Sequence, residues 1–583
     1  MNPLRSLITL LAMTSFPLAA QPKMDPELAK LDKDATVDVI VQYRTPPTEG
    51  QHGKTSRWGG QLKRRLDLIK GAQYSVTPEA LEQLAADPNV AYITPDRPVQ
   101  AMLDYATPTV YADIARQNGY DGSGITVALI DSGAEARPDL DPASIQKNLH
   151  TQTRIVYNQS FVPGEDATDG YGHGTHVAGI LAGNGQKSLG TGFTRTFFGV
   201  APNAEIVNLK VLDSSGAGTD SAVIAALQQV VKLKAKYKIR IVNLSLGRPV
   251  YESYTKDPLC QAVENAWANG IVVVVAAGNG GRDNSAGTSG YGTIMSPAND
   301  PYVITVGAMK TNGTASRADD TMASYSSKGP TLIDHIVKPD LVAPGNRIIS
   351  LAQGGYLQHN SMPGVNLVDN AYYDPSASGT SLFYFKLSGT SMATPMVSGA
   401  AALLLQKDPT LTPDQVKARL MKTASKSFPT SSIVYDASTG MSYTTQYDIF
   451  TVGAGYLDVW AALNNTDLAL GGAISPTAVN DSANGKVSVV NTDGAVWGGA
   501  AVWGSGAVWG GSAVWGSSVW VDGAAAVWGT GAVWGSAAVW GTATPGGTGT
   551  ANGFGAVWGG GAVWGSSTRP ASESLSVILN GEN

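Results

Sequence analysis

Between Ala35 and Ala101 the apolar positions come in short bursts. VDVIVQYR, AQYSVT and VAYITPDRPVQ alternate with period two and read as strands, whereas SRWGGQLKRRLDLIKG reads as a basic helix. TPEALEQLAAD opens with a threonine cap, proline at the first helical position and glutamate in the first turn, which predicts a second helix. The predicted order is β-α-β-α-β, a small α+β sandwich that is marginal on its own at this size. From Gly122 to Leu463 the texture changes: near-continuous apolar runs (ITVALID, AEIVNLKVL, RIVNLSLG, GIVVVVAAGN, YVITVGAM) alternate with helix-like segments (GTHVAGILAG, DSAVIAALQQVVKLKAKY, LCQAVENAWANG). Strands apolar on both faces and separated by helices predict an α/β fold, a mostly parallel sheet covered on each side. In such sheets, sites form beyond the carboxyl ends of the strands.

The pattern then dissolves. After a polar stretch, residues 491–568 repeat the unit Ala-Val-Trp-Gly, with ten tryptophans from Trp497 to Trp564 spaced mostly by six and only Asp493 and Asp522 charged. An even spacing would put every Trp of an extended strand on one face and every Val on the other. This Gly/Trp-rich array reads as a stalk or cleaved extension, or as an aromatic face for polysaccharide or self-association. At the other end, Arg5, the apolar Leu7–Met13 and the small-residue exit Leu18-Ala19-Ala20 read as a signal peptide. The expected organisation is a signal peptide (1–20), a small domain (21–103), the α/β domain (104–465), a linker (466–490), the repeat region (491–568) and a tail (569–583).

Composition narrows the function classes. Charged residues are 15% and the net charge is -6, without the basic stripe of a nucleic-acid binder. Apolar residues at 43% supply a core and exclude global disorder. Beyond the leader there is no apolar run of membrane-spanning length. The single cysteine, Cys260, rules out a disulfide scaffold within these residues; Leu259, Val263 and Trp267 recur around it at helical spacing, so it reads as a small core residue.

Four motifs lie beyond strand ends or at helix starts. ITVALIDSG ends in Asp131; alone, Asp-Ser-Gly is a common turn. DGYGHGTHVAGILAG carries His173 and His176, with no third metal ligand and no HExxH glutamate. GIVVVVAAGNGG reaches Asn279, alone an Asn-Gly turn. In KLSGTSMATPMVSGAAALLLQ, Ser391 stands where a glycine turn becomes a buried helix, and Pro395 is expected in the first turn. A capping serine is the bland reading of Ser391, yet the helix start also offers backbone donors to a developing oxyanion. Together the four supply a hydroxyl nucleophile, its base, the base's orienting carboxylate and an oxyanion donor.

The sequence resembles the subtilisin (subtilase) family of serine proteases. ALIDSG with Asp131, GHGTHVAG with His173 and SGTSMATPMVSG with Ser391 match its three active-site signatures, in the chain order Asp, His, Ser. Asn279 in AAGNGG matches the oxyanion asparagine, and His176 is then structural. The resemblance runs from about Tyr111 to Leu463 and implies the subtilisin-like three-layer fold. It further implies that residues of the small domain are an inhibitor-type propeptide, with Pro98–Ala101 in the cleft until self-cleavage. Ser245, Leu246 and Gly247, with Ala276, Ala277 and Gly278, match the segments that line the substrate groove, and their small side chains suit an apolar P1 residue.

Two stretches depart from the family pattern. GNGQKSLGTGFTRTFFGVAP lacks an asparagine-rich calcium loop, and Asp213 and Asp220 are too sparse to name a site, so no cofactor is identified and calcium has no clear place. The segment from Ile349 to Phe385 is an excursion before the serine motif and is expected as a surface loop. The resulting expectation is a secreted, self-processed serine endopeptidase acting on proteins or peptides, with its own propeptide as inhibitor and no membrane span or nucleic-acid partner. The alternative is an adhesive or assembly protein whose peptidase domain serves only self-processing.

Overall fold

The computed structural model describes residues 23–24, 28, 36–66, 70–95, 105–141, 153–360, 366–436, 440–469, 471–481 and 486–490. Short pieces follow at 519–522, 525–528, 539–540, 577–579 and 581–582. The expected leader, the Pro98–Ala101 segment and nearly all of the Trp repeats lie outside the described residues. The chain divides into two compact units that part between Gln100 and Ala101.

The first unit contains β1 (Val37–Tyr43), α1 (Glu49–Arg57), β2 (Gln61–Leu66), β3 (Gly71–Val76), α2 (Pro78–Ala86) and β4 (Val90–Pro95). The strands form one antiparallel sheet in the order β2-β3-β1-β4. Val39, Val41 and Tyr43 of β1 and Ala72, Tyr74 and Val76 of β3 bury one face with Ala80, Leu81 and Leu84 of α2. The predicted cap of α2 is present, with Thr77 accepting from the Ala80 amide. The basic helix is not. Its first residues end α1, which starts earlier at a Thr48–Gln51 capping box, and QLKRRL forms the exposed edge strand β2. Trp58-Gly59-Gly60 break the helix, with Gly59 at φ +92, and charges suit an unpaired sheet edge.

The second unit is built on a sheet in the order β11-β10-β9-β8-β5-β7-β6, with β12 also pairing β10. Its strands are β5 (Thr126–Asp131), β6 (Ile155–Ser160), β7 (Glu205–Lys210), β8 (Ile239–Leu244), β9 (Val272–Ala276), β10 (Ile304–Lys310), β11 (Thr321–Met322) and β12 (Leu341–Pro344). All pairings are parallel except β10–β11, so the sheet is mixed and mostly parallel. Two short helices, α3 (Ala106–Thr109) and α4 (Ala112–Gln117), precede it. From β5 the chain passes to the edge strand β6, returns by α5 (His173–Ala182) to β7, crosses by α6 (Asp220–Tyr237) to β8 beyond β5, and continues by α7 (Pro258–Ala268) to β9. α5 packs with the later helix Thr390–Lys407, and α6 packs with α7. Three layers result, and the order reverses at β5, whose carboxyl end carries Asp131.

Cys260 is fully buried on α7, as are Val263 and Leu259, and burial pushes its thiol far above the ordinary range. The Ile349–Phe385 excursion is not a loose surface loop. It contributes β13 (Ile348–Leu351), α8 (Tyr356–His359), β14 (Leu367–Asp369) and β15 (Thr380–Leu387), a three-stranded antiparallel sheet packed against α5. Tyr373, Tyr384 and Phe385 are buried there, and Tyr384 donates to the buried Asp139 at 2.6 Å. The aromatic residues that look like loop content are the core of this small sheet.

After it come α9 (Thr390–Lys407), α10 (Pro413–Thr423), the hairpin β16–β17 (Ser431–Asp436, Met441–Gln446), α11 (Val459–Asn464) and a second hairpin, β18–β19 (Thr477–Asp481, Lys486–Val490). The stretch expected as a linker from 466 is docked. Ala473, Ser475 and Ala478 are buried, the Ser475 amide donates to Pro301 O, and Val337 and Ala478 exchange main-chain bonds with Pro476 and His335. Among the described residues no helix is long and apolar enough to cross a membrane.

Candidate active site

Asp131 closes β5 and is fully buried. Its Oδ1 accepts from the Ser132 amide at 2.8 Å and lies 2.7 Å from His173 Nδ1. His173 is the first residue of α5, so a helix start is laid against a strand end. Asp169 makes that join. Its Oδ1 accepts from Ser132 Oγ and the Gly172 amide, its Oδ2 from the Thr175 amide, and Ser132 Oγ accepts from the Gly174 amide. These are first-turn amides that would otherwise be unpaired. The approach is close enough that a side chain at Gly174 would run into the Gly133 carbonyl. Burial works to lower the His173 pKa, but the Asp131 carboxylate, by charge and hydrogen bond, and Asp169 outweigh it, and the net shift is upward.

Ser391 is the second residue of α9, a helix buried from Thr390 through Leu405. Pro395 is not in the first turn as expected but inside the helix. Its missing N–H leaves the Ser391 carbonyl without the usual i+4 donor. Ser245 Oγ fills that place, donating to Ser391 O at 2.8 Å. In return Ser391 Oγ donates to the Ser245 carbonyl at 3.1 Å. Ser245 is itself held in a buried series: Ser398 Oγ donates to Asn243 Oδ1 at 2.8 Å, and Asn243 Nδ2 donates to Ser245 Oγ at 3.0 Å. The end of β8 and the start of α9 are thereby locked together, which fixes the serine relative to the sheet.

Asn279 follows β9. Its Oδ1 accepts from the Thr390 amide at 2.9 Å and from Thr390 Oγ1 at 3.2 Å. A backbone amide only donates, so this contact fixes which end of the side chain is oxygen and turns Nδ2 away from Thr390 as a donor. Thr390 Oγ1 in turn accepts from the Gly278 amide at 3.1 Å. Met392 bonds back to Gly389 O, and among the described residues the Ser391 amide has no acceptor. The observed contacts fall into two groups, the carboxylate-held imidazole of His173 and, around the start of α9, a serine, an oriented carboxamide and an unpaired helical amide; no hydrogen bond between His173 and Ser391 is seen among the described residues. That set is suited to acyl transfer through a tetrahedral oxyanion.

His176 takes no part in it. Its Nε2 faces the carbonyls of Ile348 at 3.1 Å and Phe385 at 3.3 Å, so that nitrogen carries the proton. Burial, with repulsion from His173, lowers its pKa to about 3.

The model of the subtilase family matches residues 122–440, more than half of the chain. This chain belongs to the subtilase family. It is 37% identical over 410 residues to the serine protease AprX of Bacillus subtilis (strain 168), covering 67% of this chain and 83% of that one. It is 37% identical over 323 residues to subtilisin DY of Bacillus licheniformis, covering 55% and 91%. Subtilisin E of Bacillus subtilis (strain 168) is 33% identical over 375 residues, covering 63% and 79%. The chain is a serine endopeptidase of subtilisin type.

In this subtilase the two segments expected to line the substrate groove have different surroundings. Ala276, Ala277 and Gly278 are buried, and their main chain is engaged: the Ala277 amide donates to Val306 O, Ala277 O accepts from Met295 and Gly278 O from Ser327. Leu246 is half-buried and Gly247 exposed, and among the described residues their main chain makes no hydrogen bond. Met295 packs beside both Gly247 and Gly278. Sequence reasoning missed the residues that set the geometry, Asp169, Ser132, Asn243, Thr390 and Ser398. It also missed Tyr171 and Tyr356, which stack at 6.0 Å beside His173. Asn243 is the one with a visible signal, a polar residue inside an apolar strand.

Asp213 accepts from Ser215 and Ala217 within its own turn, and Asp220 pairs with Arg248. Among the described residues no group of three or more His, Cys, Asp or Glu is placed to hold a metal ion.

Proposed function

We propose that this subtilase is secreted as a zymogen, removes its own first unit and then hydrolyses protein substrates through an acyl-enzyme on Ser391. The reading is supported above all by the His173–Asp131 contact at 2.7 Å, together with a helix start at which Thr390 orients the Asn279 amide. In this mechanism Ser391 Oγ leaves the Ser245 carbonyl, gives its proton to His173 Nε2 and attacks the scissile carbonyl carbon. Asp131 stabilises the imidazolium that forms, while Asn279 Nδ2 and the Ser391 amide hold the oxyanion. As the intermediate collapses, the leaving amine takes the proton from His173. Water, activated by the same imidazole, then releases the acid and restores the serine.

Ser245, Leu246 and Gly247 form the strand with which an extended substrate pairs, and the side formed by Ala276, Ala277 and Gly278 supplies an apolar wall for the P1 side chain. The first unit acts as folding assistant and intramolecular inhibitor until it is cut away near Pro98–Ala101. Export follows from the pattern of Met1–Ala20.

The deciding experiment compares wild type and Ser391→Ala by intact mass and casein hydrolysis, each with and without a serine-directed phosphonate. Wild type is expected to lose the first unit, degrade casein and be blocked by the phosphonate, while the variant accumulates as precursor and is inert. A variant that matures normally overturns self-processing. A mature wild type that leaves casein intact moves the function to the repeat array. Cleavage after Arg as fast as after Phe or Leu in a peptide library removes the apolar P1 preference.

A further inference from the structure

Beyond the repeats, Val577–Leu579 and the pair Gly581-Glu582 are packed into the second unit. Val577 and Glu582 are 5% and 2% exposed, and Ile578 and Leu579 lie against the main core. The Ser388 amide donates to Ile578 O at 3.0 Å. Asn346 pairs with the main chain of Glu582 at both ends of its amide: Nδ2 donates to Glu582 O at 2.9 Å and Oδ1 accepts from the Glu582 amide at 2.8 Å. The Glu582 carboxylate meets Arg282 Nη2 at 2.7 Å and the Ser324 amide at 2.8 Å, and it also takes a hydrogen bond from Ser324 Oγ. Arg282 is prepared for it, with Nε on Ser324 Oγ at 2.7 Å and Nη1 on Asp436 at 2.5 Å. Gly581 has φ +60, and a side chain there would strike Ser388 Oγ and Asn346 Oδ1.

A carboxylate taken out of water is costly unless a cation and directed donors receive it. Ordering a peptide segment costs further conformational entropy. The groups meeting Glu582 answer both charge and main chain, since Arg282 and Ser324 fit a carboxylate, Asn346 fits the amide and carbonyl of a single residue, and the crowding at residue 581 admits glycine alone. The same loops adjoin the active site. Arg282 stands three residues beyond Asn279, and the Gly345 carbonyl, next to Asn346, accepts from the Gly389 amide at 2.8 Å just before the serine helix.

We propose that Arg282, Ser324, Asn346 and Ser388 form a peptide-binding cradle, and that its ligand is this chain's own segment Val577–Glu582, read through a buried valine and a Gly-Glu pair. The array is then bracketed in sequence by two docked segments, the one around Ser475 and this one. This goes beyond the proteolytic function and does not depend on it.

The test uses the full-length Ser391→Ala protein, nicked in the array by chymotrypsin at its tryptophans. The fragment that follows Trp564 is expected to co-elute with the second unit in native buffer and to separate in denaturant. A synthetic peptide of residues 574–583 is expected to displace it, and the Glu582→Gln form of that peptide to bind about ten- to a hundredfold more weakly, the scale for a hydrogen-bonded charge. A Gly581→Val peptide is expected to compete no better. A fragment that elutes by itself from the nicked protein, or variant peptides that bind as well as wild type, would falsify the cradle. An uncut protein that sediments as a dimer, and as a monomer once Glu582 is replaced by Gln, places the segment in a second copy and overturns docking within one chain. Each readout is binding to a chain without the serine hydroxyl, so its failure is distinct from failure of the protease reading.

Discussion

His173 is pulled two ways, by burial toward the neutral form and by Asp131 and Asp169 toward the charged form, and the carboxylates win. A base must be neutral to accept the serine proton, so the acid limb of kcat/KM is expected above the ordinary histidine value of about 6.5. Asp131→Asn leaves burial less opposed. It should move that limb to lower pH while kcat falls by about 10⁴-fold, checked by a full pH–rate profile. Asn279→Ala should cost ~10²–10³ in kcat with KM little changed. Thr390→Val removes one of the two hydrogen bonds that orient the Asn279 amide and should cost about tenfold, read from the same steady-state assay. Asp131, His173, Asn279 and Ser391 were legible because each sits where a long apolar run meets glycine or a helix start. Asp169 and Thr390 were not, because the partners that give them their place, Ser132 and Asn279, are distant in the chain and periodicity reports only local neighbours; Asn243 left only the trace of one polar residue in an apolar strand.

Among the elements, α9 shows how a sequence irregularity becomes a joint. Pro395 withholds one amide, and Ser245 supplies the hydrogen bond that the Ser391 carbonyl lacks. Ser245→Ala leaves that carbonyl unpaired and buried, so unfolding of the otherwise inactive Ser391→Ala background should be easier by about 1–3 kcal/mol, measured in denaturant. The apolar strands of the large sheet were legible because burial on both faces leaves little room for polar positions. Two elements were misread for opposite reasons. QLKRRL carries enough charge to pass for a helix surface, yet Trp58-Gly59-Gly60 ends the helix before it. The Ile349–Phe385 segment looks loop-like because Tyr, Asn and Ser dominate it, yet its tyrosines make the small sheet against α5. Tyr356 from that insertion stacks on Tyr171 beside His173. Tyr356→Ala should raise KM for extended peptides and leave kcat nearly unchanged, the mark of binding shared by ground and transition states.

Taken as a whole, the second unit extends past the residues its sequence texture suggests. Lys417 is fully buried and donates to Ser475 Oγ at 2.8 Å and to the carbonyls of Pro301, Tyr302 and Val303, while Asp340 lies 3.2 Å away. Ser475 Oγ and Lys338 also meet Asp340, at 2.5 Å and 2.7 Å. The stretch after residue 465 reads as a linker because it is polar and short of apolar repeats; a polar network holds it, and such networks leave no periodic trace. Lys417→Met leaves the Lys338–Asp340 pair in place but removes the buried donor that serves Ser475 Oγ and the carbonyls of Pro301, Tyr302 and Val303. About 1–3 kcal/mol of stability should be lost, the scale for buried acceptors left without their donor, seen as a lower denaturant midpoint in the Ser391→Ala background. Cys260 has a consequence of another kind. The one sulfhydryl of these 583 residues is sealed in the core and kept protonated by burial. Refolding therefore needs no redox buffer, turnover is indifferent to reductant and mild oxidant, and a cysteine introduced on the surface gives a single-site label without removing the native one.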